Sequence, residues 1–147
     1  MKENLLLAFI IAALITLMTS SCHKHCASGY AGSQCIAVNL RYLGAYAGGN
    51  IVTADGATNP AVPDTITISA GTGPDSILIN NISSPIRGVV ALDGNSFSVP
   101  PQTVAYRGIS IVIVSGTGSL TGDTLKALFN CTDGGLPVTI AFTGVRY

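Results

Sequence analysis

Beyond residue 25 the chain has no histidine, its one glutamate is Glu3, and tryptophan is absent throughout. General acid–base catalysis draws most often on histidine or on a carboxylate with a perturbed pKa. What is left is a set of aspartates, Asp55, Asp64, Asp75, Asp93, Asp123 and Asp133, most of them beside Gly, Asn, Ser or Thr in turn-like contexts. No serine stands in a nucleophile-elbow pattern, so a paired-aspartate hydrolase is the one enzymatic alternative this inventory leaves. Charge is scarce as well. Seven basic and seven acidic residues are scattered along 147 positions, with no basic face to release counterions from nucleic acid and no polybasic run for a membrane surface. Nucleic acid is excluded as a partner, and no cofactor is assigned. Metal-ligand types gather only at Cys22, His23, His25 and Cys26, a spacing too tight for a good tetrahedral site, and Asp93-Gly-Asn95 lacks the oxygen cluster that calcium needs. No metal site is assigned either.

What the chain does have begins at its N-terminus. Lys2 precedes an apolar run from Leu5 to Met18, and Thr19-Ser20-Ser21 leads directly to Cys22. The run is shorter than the roughly 20 residues that cross a bilayer, and it fits the h-region of a cleaved signal over residues 1–21. A cysteine placed immediately after such a zone resembles the signal of bacterial lipoproteins, which makes Cys22 the lipidation site. The bilayer is then a partner through the acyl chains, each buried methylene contributing about 0.8 kcal/mol. A plain secretory signal cut before Cys22 is the alternative, and a retained anchor the third. Asn81-Ile-Ser and Asn130-Cys-Thr match the N-glycosylation sequon, a match without meaning on a bacterial lipoprotein.

From Ile36 onward the patterning is β. Thr65-Ile-Thr-Ile-Ser69 alternates and puts Ile66 and Ile68 on one face. Ser76 to Asn80, Gly88 to Leu92, Ser96 to Val99 and Ile109 to Ser115 read as further strands, the last continuing or bulging through Gly116 to Leu120. Leu125, Ala127, Phe129 and Cys131 share a face, as do Val138, Ile140 and Phe142, and Asp93-Gly94-Asn95 is a hairpin turn. One helical turn fits Val38 to Leu43. Pro100-Pro101 predicts a strand end, since proline cannot donate to a ladder. The sum is a single all-β domain over 37–147: an antiparallel meander of seven to nine strands, closed as a barrel, with a β-sandwich as the alternative. So short a barrel predicts an interior filled by side chains. Tyr42, Tyr46, Tyr106 and Arg107 are the candidate ligand contacts, aromatics offering an apolar face with a polar tip, and ordinary barrel packing is the alternative and favoured role for them. Cys131 reads as a small buried hydrophobe.

Two resemblances add to this. Cys26-Ala-Ser-Gly29-Tyr30-Ala-Gly32-Ser-Gln-Cys35 is similar to the last disulfide loop of an EGF-like module, which implies a Cys26–Cys35 bridge in a tether over residues 22–36. The order Arg41-Tyr-Leu-Gly44-Ala-Tyr46, Ile66-Thr-Ile68, Asp75-Ser-Ile-Leu-Ile-Asn80-Asn81, Gly94-Asn-Ser-Phe97-Ser-Val-Pro100 and Gly116-Thr-Gly118-Ser-Leu-Thr-Gly122-Asp-Thr-Leu125 resembles Bacteroidetes lipoproteins in which an EGF-like stub precedes a small lipocalin-like β-domain. That resemblance implies a barrel and an outer-membrane location, and no established activity. It also makes Thr65, Ser76 and Thr124, each after an aspartate and before an aliphatic residue, candidate O-glycosylation sites. Two functions remain open: a non-catalytic binding module for a glycan, a small apolar ligand or an envelope protein, and a structural subunit of an envelope complex. Periplasmic and surface-exposed placements both stay open, since His23-Lys24-His25 supplies none of the acidic residues associated with surface export.

Overall fold

The computed structural model describes residues 26–80, 84–106 and 109–147, and for Tyr106 the backbone alone. The signal region, Cys22, His23, His25, Asn81 and Arg107 lie outside the described residues. A short hairpin, β1 (Tyr30–Ala31) and β2 (Ile36–Ala37), leads into a 3-10 turn over Val38–Tyr42. The long strands follow: β3 (Gly44–Ala54), with the two-residue β4 (Ala57–Thr58) folded back on it, then β5 (Val62–Ala70), β6 (Ser76–Asn80), β7 (Ile86–Val90), β8 (Ser96–Val99), β9 (Gln102–Tyr106), β10 (Ile109–Thr121), β11 (Thr124–Asp133) and β12 (Leu136–Arg146). Each long strand pairs antiparallel with the next. β12 then returns to β3, from Val138 opposite Ala54 to Arg146 opposite Tyr46. Eight strands therefore close into an up-and-down barrel of the lipocalin-like kind; closure pairs β3 with β12, which an open sheet would leave exposed, while β9 is laddered to β10 alone.

The side-chain period of two decides which residues fill it. On β11, Leu125, Ala127, Phe129 and Cys131 point inward and are buried, while Lys126, Leu128 and Asn130 point out. The outer face is rich in Ser and Thr, among them Thr65, Thr67, Ser96, Ser98, Thr117 and Thr143, with exposed Val112, Leu128 and Val145 interspersed. Apolar inside and hydroxyl-rich outside is the reverse of a barrel that spans a membrane, whose lipid-facing band is apolar.

Three departures from the sequence pattern have local causes. β7 lies two residues upstream of the expected strand, so that Ile86, Gly88 and Val90 face inward. The irregularity in β10 falls at Val114, where the pairing with β11 slips between Ile113 and Ser115, rather than at the glycines that follow. Pro100-Pro101 ends β8 at Val99, as expected, but the chain does not turn away there and β9 resumes at Gln102. β8 and β9 pair with β10 in one unbroken register, Val99 opposite Gly116 and Gln102 opposite Ile113. On the other flank the Gln102 side chain stands in for the proline backbone. The Arg87 N–H donates to Gln102 Oε1 at 2.9 Å, and Gln102 Nε2 donates to the Arg87 carbonyl at 2.8 Å and to the Pro100 carbonyl at 3.1 Å. Gln102→Leu is expected to cost about 1 kcal/mol, the net worth of such a bond being ~0.5–1.5 kcal/mol. It should also speed hydrogen exchange at the Arg87 amide without changing that of β11.

The Cys26–Cys35 bridge is formed, and its loop lies against one end of the barrel. Gly29 is buried on Pro74, where a Cβ would come within 2.5 Å of the proline Cγ. Asn39 fastens the 3-10 turn to the β5–β6 connection, its Nδ2 donating to the carbonyls of Gly73 at 3.0 Å and Ser76 at 2.9 Å.

Candidate functional site

The two ends of the barrel differ in how they are filled. At the end capped by the 3-10 turn, Tyr42 and Tyr46 are fully buried, and Tyr42 meets Phe97 edge-on with ring centroids 5.5 Å apart. Glycines on the facing strand make room: a Cβ at Gly118 would come within 2.1 Å of the Phe97 ring. Tyr46 donates its hydroxyl proton to the Tyr42 carbonyl at 2.8 Å, and Arg146 on the last strand donates to the Tyr46 hydroxyl at 2.7 Å and to the Arg41 carbonyl. The guanidinium also sits 5.3 Å from the Tyr46 ring centre, a cation–π arrangement. Arg41 reaches Asn95 in the β7–β8 turn at 2.7 Å. This end is shut.

Burial pushes the Tyr42 hydroxyl up to about 12, because an ionised phenolate is poorly solvated there. Its oxygen lies near the Leu120 backbone without an ordinary hydrogen bond. The folded pKa lies above the unfolded value of 10.0, so the contribution is fully present below pH 10 and is lost as pH rises toward 12. The loss amounts to about 1.4 kcal/mol per pH unit in that window. Tyr42→Phe removes a hydroxyl with no good partner. It should leave stability at pH 7 nearly unchanged and flatten the alkaline fall by that slope, measured as urea midpoints from pH 9 to 12.

The opposite end holds a cavity of about 280 Å³. Its wall is aliphatic, from Val52 on β3, Ile79 on β6, Ile86 on β7, Val104 on β9, Ile109, Ile111 and Ile113 on β10, and Val138 and Ile140 on β12. Phe129 and Phe142 line it as well, and Cys131 adds a thiol whose pKa burial raises. The interior is thus filled at one end only, a correction to the expectation of a filled barrel. Strand number sets the girth of the ring. Valine and isoleucine at inward positions cannot span a width that tyrosine, phenylalanine and arginine close at the other end.

Polar groups are few. Asn50 and Asp133 belong to the lining. Asn50 donates through Nδ2 to the carboxylate of Asp64 on β5, which also accepts from the Thr65 N–H at 2.8 Å. The remaining aspartates are spread over both ends. Asp55 sits in the turn between β3 and β4, whereas Asp75, Asp93 and Asp123 flank the shut end, where Arg146 N–H donates to the Asp123 carbonyl and Asp93 Oδ1 caps Asn95 N–H.

The structure separates the residues that the sequence grouped as ligand contacts. Tyr42 and Tyr46 belong to the plug and line no part of the cavity. Tyr106 is on β9, with its side chain outside the described set, and Arg107 lies outside it entirely. The pocket was not singled out from sequence; the shared faces read for Ile66 on β5, Phe129 and Cys131 on β11, and Val138, Ile140 and Phe142 on β12 are the one signal that marked any of its lining. Thr65 is exposed on β5, while Ser76 and Thr124 are half-buried at the starts of β6 and β11.

These features define a closed eight-stranded barrel with a polar outside, a plugged end and an apolar pocket open at the other. No family model matches the chain, and no curated protein does. Among solved structures it is similar to a "putative outer membrane protein" of Bacteroides fragilis NCTC 9343, with a TM-score of 0.62 and 14% identity. The similarity covers 76% of this chain and 54% of the other, so the chain spans about half the length of that protein. The likeness is one of barrel fold.

Proposed function

We propose that the barrel is a non-catalytic binding module, which takes a small apolar ligand through its open end and is held at the bacterial envelope by acylated Cys22. The observation that carries the binding reading is the 280 Å³ apolar cavity, close to the lower bound of about 300 Å³ for ligand pockets. At ~30 Å³ for a water, a volume near that of a methylene, it has room for a chain of roughly nine carbons. Envelope placement is supported by the run that ends at Cys22 and by the barrel likeness to a Bacteroides protein named for the outer membrane.

Cys131 supplies the test. In the Cys22→Ala chain it is the one cysteine left outside the Cys26–Cys35 bridge, and it lines the cavity. Saturating 1-octanol should slow its reaction with methyl methanethiosulfonate at least fivefold. An unchanged rate would contradict the binding reading. Anchoring is read separately: the wild-type protein should sediment with membranes, and Cys22→Ala should be released. Continued sedimentation of that variant would refute attachment through Cys22.

A further inference from the structure

We infer that the ligand of this cavity is a single-chain amphiphile with a cationic head, resting on the reading of the pocket as a binding site. The apolar wall accounts for a chain and says nothing of its end; the polar groups in the lining decide that. Asp133 is a carboxylate, which only accepts hydrogen bonds when ionised. Asn50 commits its amide nitrogen to Asp64, an assignment that the acceptor-only carboxylate fixes, so the group it has left to offer is its carbonyl oxygen, another acceptor. No arginine, lysine or histidine lines the pocket among the described residues. Asp55 lies in a turn at the same end, after β3, so two carboxylates stand at that end among the described residues, with Arg87 directed to the outer face of β7.

An ammonium head satisfies this arrangement on every count. It brings up to three donors to groups that accept, and its charge is opposite to the carboxylates around it. A free fatty acid does the reverse, placing a carboxylate beside Asp133 with no described cation to receive it. Arg107 stands in sequence between β9 and β10, outside the described residues, and a dominant contribution from it would appear as a preference for the anion. Exposure of Asp133 keeps the effect moderate and sensitive to salt.

The experiment compares octylammonium, 1-octanol and octanoate, three heads on one chain length, by calorimetric titration of the Cys22→Ala protein at pH 7 and low salt. Octylammonium should bind tightest and octanoate weakest, with about a tenfold span. Asp133→Asn should remove most of that span, whereas Asp123→Asn, at the shut end, should leave it in place. Equal affinities for all three, or a preference for octanoate, would overturn the head-group inference while leaving the pocket a binding site. Failure of all three to bind, octanol included, would instead overturn the binding reading beneath it.

Discussion

Gly48→Ala is expected to prevent the barrel from closing. Gly48 lies on the seam between the first and last long strands, opposite Gly144 on β12 and Asp64 on β5. A Cβ there would stand 2.0 Å from the Thr143 carbonyl oxygen and 2.4 Å from the Gly144 Cα. Both are backbone atoms, so no rotamer change relieves the clash and the strands must part. This seam has no hairpin to hold its two strands together; β3 and β12 meet through their ladder and, at the shut end, through Arg146 on Tyr46. Losing several ladder bonds, each worth a net ~0.5–1.5 kcal/mol, consumes much of a domain stability of about 5–15 kcal/mol. Thermal unfolding of the variant should be non-cooperative or shifted down by tens of degrees. Gly49→Ala, one residue on, is the control: its Cβ would meet nothing nearer than the Val62 carbonyl at 3.4 Å, and its unfolding should match wild type. A Gly48→Ala protein that melts like wild type would disprove the close approach at the seam.

Filling the pocket should produce the largest effect on binding. Ile111 and Val138 both line the cavity and are only half-buried, so phenylalanine at both positions grows into empty space. The paired variant Ile111→Phe/Val138→Phe is expected to lose 1-octanol binding by at least a hundredfold. Its thermal midpoint should stay at or above that of wild type, because the 1–3 kcal/mol penalty of overpacking applies to sites that are already full. Val112→Phe, on the outer face of β10 where the valine is 43% exposed, should leave binding untouched. Retained affinity in the paired variant would place the ligand somewhere other than the cavity.

The strands that alternate cleanly could be read from their residues alone. β11, with Leu125, Ala127, Phe129 and Cys131 inward, and β12, with Val138, Ile140 and Phe142 inward, needed no more than the period of two. β3 was not visible in that way. Its Tyr46-Ala-Gly-Gly-Asn50 stretch has low strand propensity, and it is extended because β5 and β12 supply ladders on both sides. β9 was hidden by Pro100-Pro101, since the repair is made by a glutamine side chain 15 residues along the chain from the Arg87 backbone it serves.

The site was less legible than the fold, for a related reason. Tyrosines were candidates for a ligand mouth because an aromatic offers an apolar face with a polar tip, and the alternative, ordinary packing, is what Tyr42 and Tyr46 do. For Tyr46 the polar neighbour is Arg146, 100 residues later, and closure of the barrel brings the two together at the shut end. An empty volume is a property of the closed ring, set by strand number and by what every inward residue fails to reach. No single residue signals it, and the pattern on β11 and β12 shows which side chains face inward without showing the gap between them.

The central claim is that an apolar ligand enters the open end and sits among the aliphatic residues there. The most direct measurement is a methyl ¹H–¹³C spectrum of the protein, titrated with 1-octanol. Methyl resonances of Ile111, Ile113, Val138 and Ile140 should shift together and saturably, while those of Ile68 and Ile77, buried toward the plug, stay in place. No saturable shift, or shifts confined to the outward-facing Val112, Val114 and Leu128, would contradict it.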